Sequence, residues 1–394
     1  MPSNISKIKK KQPIINYFRL YQPIMKKFEL PSSLSIFGNK NLACDILSDI
    51  WGGKGVFTCT VANTMTSTIP GVSDAGDTPD LTLFTPAADA EMLVNKKVTC
   101  MKGIPINPGG IPTPATLTMA ALELSGMPLH VVNGGLKVKP NIPMYDVGGD
   151  FGKDIRTGKA VSNVKESFNK GIKLGELFAK GNDHLVISES CAGGTTTALA
   201  VMMAMGTLKE NLVSSSSPNN PKELKTKLVD EGLAAAGVKR GELADDPLKA
   251  IECVGDPMMP VNVGMIIGAS KHIPVIIGGG TQMAAVMAAA VTLDENIVGR
   301  IFQGTTRWLV EDPNSDMRKI ITKINENIPI VYINMDYSKS PYEGLQAYEW
   351  GYIKEGVGCG GSSVSSVIQS SGKITCDMLL DKVHEIYRQI MAIE

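Results

Sequence analysis

The 394-residue sequence lacks the usual marks of a metal centre, a disulfide framework or a membrane span. It has only four histidines, at 130, 184, 272 and 384, and no H-E-x-x-H spacing, which argues against a histidine metal centre. Its seven cysteines stand singly at 44, 59, 100, 191, 253, 359 and 376. Without a C-x-x-C pair they suggest neither zinc nor paired disulfides. Basic and acidic residues balance at 39 each, so the basic excess that nucleic-acid binding requires is missing. The most apolar stretch, 261–292, is broken by Lys271, His272 and three glycines, too interrupted for a membrane span. No internal repeat of fixed period is present. The glycine loop at 184–206 matches neither G-x-G-x-x-G nor a G-K-[ST] phosphate loop. Free cysteines and 20 methionines point to a reducing cytoplasm.

What is present is an alternation of apolar runs and helical patterns. Apolar, β-branched runs near 80–86, 128–135, 184–190, 274–280 and 329–335 read as strands. An amphipathic helix, "VKESFNKGIKLGELFAKG", precedes the third, and a small-residue helix, "TQMAAVMAAAVTL", follows the fourth. Such alternation predicts a parallel sheet covered on both faces. The polar stretch 214–227 reads as a mobile loop leading into a helix. Residues 1–24 are basic, then apolar and aromatic. They are expected to be a poorly ordered extension, with Met25 as an alternative start.

The chemistry candidates lie in the loops after these strands. In "HLVISESCAGGTTTALA" a strand runs into glycines and then a helix. Glycines let the backbone approach a ligand, and the first N–H groups of a helix have no partner within it. With the helix dipole they form an anion site, usually for phosphate. The alternative is a tight strand-to-helix connection with a threonine cap. A second glycine-rich stretch, "IKEGVGCGGSS", holds Glu355 and reads either as a plain surface turn or, paired with Glu189, as part of one site. The histidines read as packing or surface residues.

Four segments, in order, resemble the nicotinate-nucleotide:dimethylbenzimidazole phosphoribosyltransferases. "SESCAGGTTTALA" is similar to that family's G-E-M-G-I-G-N-T-T loop. "ADDPLKAIECVGDPMMPVNVGMIIGA" resembles its D-P-L segment ending in G-x-I-L-G-A. "IPVIIGGGTQMAAVMAAA" resembles P-V-x-x-D-G-F-x-x-x-A-A-A-L, and "KEGVGCGG" resembles G-E-G-T-G-A-A. The resemblance implies an α/β fold: a three-layer, mostly parallel Rossmann-like sheet with a small helical lobe from the chain termini. The lobe is expected over 25–75 and 365–394, and the large nucleotide-binding domain over 76–364. It implies a homodimer, no cofactor and no metal, with nicotinate mononucleotide and an aromatic base as substrates. The products are an α-ribazole phosphate and nicotinate, for assembly of a cobamide lower ligand.

Carried over by position, Glu355 falls on the general base and Glu189 on the acid beside the ribose. Cys191, Gly193, Gly194, Thr195 and Thr196 fall on the loop that cradles the nucleotide. Lys227 falls near a phosphate-contacting lysine, with Lys225 as a competing alignment. Glu91 falls where a glutamine often meets the aromatic base. The sequence departs from the family in Cys191 for glycine, in the missing Asp-Gly-Phe, in the missing Gly-Gly and glutamate at "GDPMMP", and in the acidic Glu91. These departures leave the accepting base open. Another acceptor at the same nucleotide, or a nucleotide-binding protein without catalysis, are the alternatives. A dinucleotide-dependent dehydrogenase is argued against because the strand-to-helix loop at 188–197 lacks the G-x-G-x-x-G fingerprint.

Overall fold

The computed structural model describes residues 29–107, 110–147 and 149–391. The expectation for residues 1–24 lies outside them. Among the described residues there are ten strands. They are β1 (Leu34–Phe37), β2 (Gly55–Ala62), β3 (Ile106–Asn107), β4 (Ile111–Pro112), β5 (Leu129–Gly135), β6 (Tyr145–Asp146), β7 (His184–Ser190), β8 (Val275–Gly278), β9 (Ile301–Thr306) and β10 (Ile330–Ile333). Eight form one sheet in the order β1-β10-β9-β8-β7-β2-β5-β6, and β3 and β4 pair separately. Every neighbour in the main sheet is parallel except β1, which runs antiparallel to β10.

The sheet is covered on both faces, as its apolar strands require. Alternate residues of a strand serve opposite cores: Leu185 and Ile187 of β7 belong to one, Val186 to the other. Helices Val164–Phe178, Gly194–Ala204, Met258–Ser270 and Thr281–Leu293 cover the first face. Helices Lys40–Ile50, Ala115–Ser125, Cys359–Gln369 and Cys376–Met391 cover the second. Helices Val164–Phe178 and Met258–Ser270 pack backbone to backbone, because a Cβ at Gly264 would stand 2.2 Å from the Phe168 carbonyl oxygen. No helix among the described residues is long and apolar enough to cross a membrane.

Three sequence expectations are corrected. The run at 80–86 is not a strand: Pro79 and Pro86 open a short 3-10 helix, Pro79–Leu83, and the helix Thr85–Asn95. Proline in a first helical turn loses no hydrogen bond and presets the backbone. The helical lobe over 25–75 does not separate out, because β1 and β2 belong to the main sheet. All eight residues of β2 are buried, between β7 and β5. The stretch 214–227 is anchored at its start, where Ser214 and Ser215 are buried.

The strand order places the site. From β2 the chain proceeds outward to β5 and β6, then returns to β7 beside β2 and proceeds the other way to β8, β9 and β10. The order therefore reverses between β2 and β7. Open α/β sheets leave a crevice for ligands at the carboxyl ends of the strands at such a point.

Candidate active site

A cleft opens at that reversal. Its walls come from segments after β2 (Val72, Ser73), β7 (Glu189 to Thr195), β8 (Gly280 to Gln282) and β9 (Leu309), and from Glu355 to Val357 before the helix Cys359–Gln369.

The β7 loop turns sharply at Gly193, whose φ of +79° lies in the left-handed region and suits glycine. The helix Gly194–Ala204 begins there, so its first N–H groups and positive dipole end face the cleft. A Cβ on Gly194 would stand 1.8 Å from Gln282 Nε2. Glycine is therefore needed at that position to admit the Gln282 amide, which donates to Glu189 Oε2 at 2.9 Å and to the Cys191 carbonyl at 3.1 Å. Thr195 lines the cleft. Thr196 does not: it is wholly buried, and its hydroxyl has no hydrogen-bond partner among the described residues. The helix turn that faces Thr195 outward carries Thr196 inward. Thr197 is also buried and donates to Asp256 Oδ2 at 2.6 Å.

Glu189 and Glu355, 166 positions apart in sequence, line the same cleft. Burial raises the Glu189 carboxyl well above its usual range, and the neighbouring Asp256, Glu355 and Asp89 add to the effect. Glu355 accepts from the Gly360 N–H at 3.1 Å, the Gly356 N–H at 3.3 Å, the Cys359 thiol at 3.3 Å and the Thr305 hydroxyl at 3.1 Å. Burial still outweighs these donors and pushes its pKa up to about 7. A carboxyl poised there exchanges a proton readily near neutrality. Cys191 lines the cleft, but burial, with Asp256 and Glu189 nearby, holds its thiol well above the ordinary value. It is not a ready thiolate nucleophile.

Besides Thr196, two more expected site residues are not in the cleft wall. Lys227 points to solvent, its side chain 73% exposed, 3.9 Å from Glu231. Lys225, two positions earlier on the same helix, is fully buried and donates to the Ser214 carbonyl at 2.7 Å, behind the Ser214 to Ser216 wall. Glu91 is a loop anchor: it accepts from the Thr99 and Cys100 amides, the Thr99 hydroxyl and the Asn141 amide. Burial pushes its pKa up, but these donors prevail and lower it. The acid that lines the cleft on that helix is Asp89, which accepts from Thr113 Oγ1 at 2.7 Å and Ser190 Oγ at 2.8 Å. Burial raises its pKa to about 6.

The sequence reading also missed Gln282, Asp256 and the Ser214 wall. Gln282 stands in "IGGGTQ", a glycine-rich loop after a strand that is a chemistry candidate from sequence, but the sequence attached no role to the residue itself. Asp256 gives no such signal, since its role depends on reaching Thr197 across the fold.

A family model described as phosphoribosyltransferase matches residues 116–306. That segment includes Glu189, Gly193, Asp256 and Gln282 and ends before Glu355. A UPF0284 protein of Sulfurisphaera tokodaii is 40% identical over 338 residues, 86% of this chain and 94% of that protein. A UPF0284 protein of Methanothermobacter thermautotrophicus is 37% identical over 368 residues, 92% of this chain and all of that protein. Among solved structures, nicotinate-nucleotide-dimethylbenzimidazole phosphoribosyltransferase from Thermus thermophilus superposes with a TM-score of 0.53 at 16% identity, covering 84% of this chain and 88% of that one. CobT from the same organism gives a TM-score of 0.55 at 15% identity, covering 84% and 89%. At such identity these two matches speak for the fold.

Proposed function

Because the chain belongs to the UPF0284 family, a divergent group of the nicotinate-nucleotide:dimethylbenzimidazole phosphoribosyltransferases, we propose that its cleft moves the phosphoribosyl group of nicotinate mononucleotide onto a benzimidazole-type base. The observation that carries the reading is Glu355. It is a carboxyl with a pKa of about 7, in one cleft with Glu189 and the amino end of the helix Gly194–Ala204.

In this reaction the unprotonated ring nitrogen of the base attacks C1′ of the ribose, and the C1′–N bond to nicotinate breaks. The pyridinium leaves as neutral-ringed nicotinate, so it requires little help from an acid. The other ring nitrogen of the base gives its proton to ionised Glu355. Glu189, when ionised, stabilises the positive charge that develops at C1′. The phosphate fits the helix amino end, with the buried Lys225, whose pKa burial lowers to about 7, behind the adjacent serine wall. The products are an α-ribazole phosphate and nicotinate, suited to assembly of a cobamide lower ligand.

The test is incubation with nicotinate mononucleotide and a panel of benzimidazoles, purines and phenolics, followed by product mass. A riboside phosphate formed in step with nicotinate release supports the reading, and its mass identifies the base. Release of nicotinate with ribose phosphate and no new riboside would make water the acceptor. Thermal stabilisation by the nucleotide with no nicotinate released would make the chain a nucleotide-binding protein without catalysis.

A further inference from the structure

The backbone that carries Glu355 is unusual. Ile353 (φ 62°), Lys354 (φ 65°) and Val357 (φ 53°) all occupy the left-handed region, together with Gly356 (φ 148°) and Gly358 (φ 62°). Branched residues such as isoleucine and valine rarely adopt it, and they persist there only where surrounding contacts impose it. Two tight turns follow one another: the Lys354 N–H donates to the Tyr352 carbonyl at 2.7 Å, and the Glu355 N–H to the Ile353 carbonyl at 2.8 Å.

The imposing contacts are concentrated on Lys354. Its side chain is only 1% exposed, and its ammonium stands 3.6 Å from Asp312 Oδ2. The ammonium also donates to the Gly351 carbonyl at 2.7 Å and the Ser217 carbonyl at 3.5 Å. Asp312 accepts from Ser214 Oγ at 3.0 Å and Ser315 Oγ at 2.7 Å. The Ile353 N–H donates to the Ser216 carbonyl at 2.9 Å, and the Thr306 hydroxyl to the Lys354 carbonyl. The serine wall of the cleft and the turn bearing Glu355 are thus joined through one buried ion pair.

We propose that Lys354 is a positioning residue: its buried pair with Asp312 locks the left-handed turn that presents Glu355 to the cleft, and ties that turn to the serine wall against which the nucleotide lies. The substrate part rests on the phosphoribosyl-transfer reading; the positioning part does not. A buried ammonium and carboxylate hold each other only in a narrow geometry, and either one left alone is costly to bury. When the lock is removed, the turn is free to relax out of the left-handed region, and Glu355 moves away from the Gly360 N–H and the Thr305 hydroxyl.

The test compares Lys354→Met, which fills similar space without charge, with the parent. The Glu355 carboxyl carbon is followed by 13C NMR titration and assigned by its disappearance in Glu355→Gln. The other titratable groups that interact with it are Cys359, Glu189 and Tyr348. The expected result is a Glu355 midpoint moved by about one pH unit or more, because the carboxyl changes its donors and burial. Turnover is expected to fall about tenfold to a hundredfold while the KM for nicotinate mononucleotide changes by less than about threefold. A lower denaturation midpoint with an unmoved Glu355 titration and unchanged turnover would overturn the proposal, leaving Lys354 a stabilising residue only. If Lys354→Met does not fold, Asp312→Asn opens the lock from the other side with little change of shape, and the same readouts apply. If the parent transfers no phosphoribosyl group, the reaction assignment fails, and the titration by itself still decides whether Lys354 positions Glu355.

Discussion

Glu355→Gln should remove the reaction and stabilise the protein, and the two effects should separate by pH. The free glutamate value is 4.5, and the folded value is about 7 because burial disfavours the ionised form. Folding therefore favours the protonated acid. The stability it contributes is fully present below pH 4.5 and is lost as pH rises to about 7. At 1.36 kcal/mol per unit the swing is up to about 3 kcal/mol. Glutamine cannot ionise, so the variant should match the parent at pH 4.5 and exceed it by about 1–3 kcal/mol at pH 8, measured by urea unfolding. For catalysis the ionised form is the competent one. Roughly a tenth of Glu355 is ionised at pH 6 and nine tenths at pH 8, so kcat/KM for nicotinate release should climb between them and level off above. Loss of a general base should cost about a hundredfold to ten-thousandfold, and the limb near pH 7 should vanish in the variant. A parent profile that is flat through pH 7, or a variant that keeps the same limb, would refute the reasoning. So would an equal stability difference at both pH values, because no shifted titration would then underlie it.

Gly194→Ala should leave stability within about 2 kcal/mol of the parent, since the gain in helix propensity partly offsets the lost hydrogen bond to Glu189. The new methyl must displace the Gln282 amide, so turnover should fall about tenfold or more, and a crystal structure with Gln282 unmoved would count against this. Lys227→Ala should not change nucleotide affinity by calorimetry, whereas Lys225→Met should weaken it about tenfold, because only Lys225 backs the serine wall; the reverse pattern would restore the original alignment. Burial lowers the His184 pKa from 6.5 to about 4, so the fold keeps this ring neutral. That contribution is present above pH 6.5 and is lost as pH falls toward 4, by up to about 3 kcal/mol. His184→Gln should flatten this acid limb in urea midpoints taken at pH 4.5 and 7.5, and an unchanged limb would assign it to other groups.

The fold class was legible because β5, β7, β8 and β10 are short apolar runs followed by loops or glycines. β2 and β9 were missed for a common reason: "GVFTCTVA" and "IFQGTT" carry threonine, glutamine and glycine on strands that are wholly buried. Their polar groups find partners only in the folded sheet, such as Thr58 Oγ1 donating to the Val186 carbonyl at 3.0 Å. Glu189 and Glu355 were legible because each stands in a glycine-rich segment after apolar sequence. Two of the three residues that fall outside the cleft wall do so for one reason. Lys227 for Lys225 and Glu91 for Asp89 are each two positions off on a helix, where two residues turn the side chain by about 200°. A shift too small to disturb an alignment by eye moves the residue to the opposite face. In one case that face is solvent, and in the other it is a loop that needed four hydrogen bonds.

An acidic cleft is a strange host for a phosphate, and the raised pKa values resolve the conflict. Asp89, Glu189 and Asp256 are buried and Glu355 is partly buried around the β7 loop, and loss of solvent comes first among the causes that raise each one. If all four were ionised near neutral pH, the cleft would repel a nucleotide phosphate at short range in a low dielectric. Asp89 and Asp256 at about 6 and Glu355 at about 7, with Glu189 well above its usual range, mean that part of the charge is held as protons. A phosphate of the proposed donor would then meet the helix amino end, with Lys225, lowered to about 7 by burial, behind the serine wall, rather than four negative charges. The pyridinium of the proposed donor pulls the other way and favours ionised carboxyls around the ring. The proposed donor thus carries an anion suited to the N–H groups of the helix amino end and a cation suited to the carboxyls. Glu355, whose pKa falls between the two demands, is the group best able to change its state as the ring departs and the base arrives.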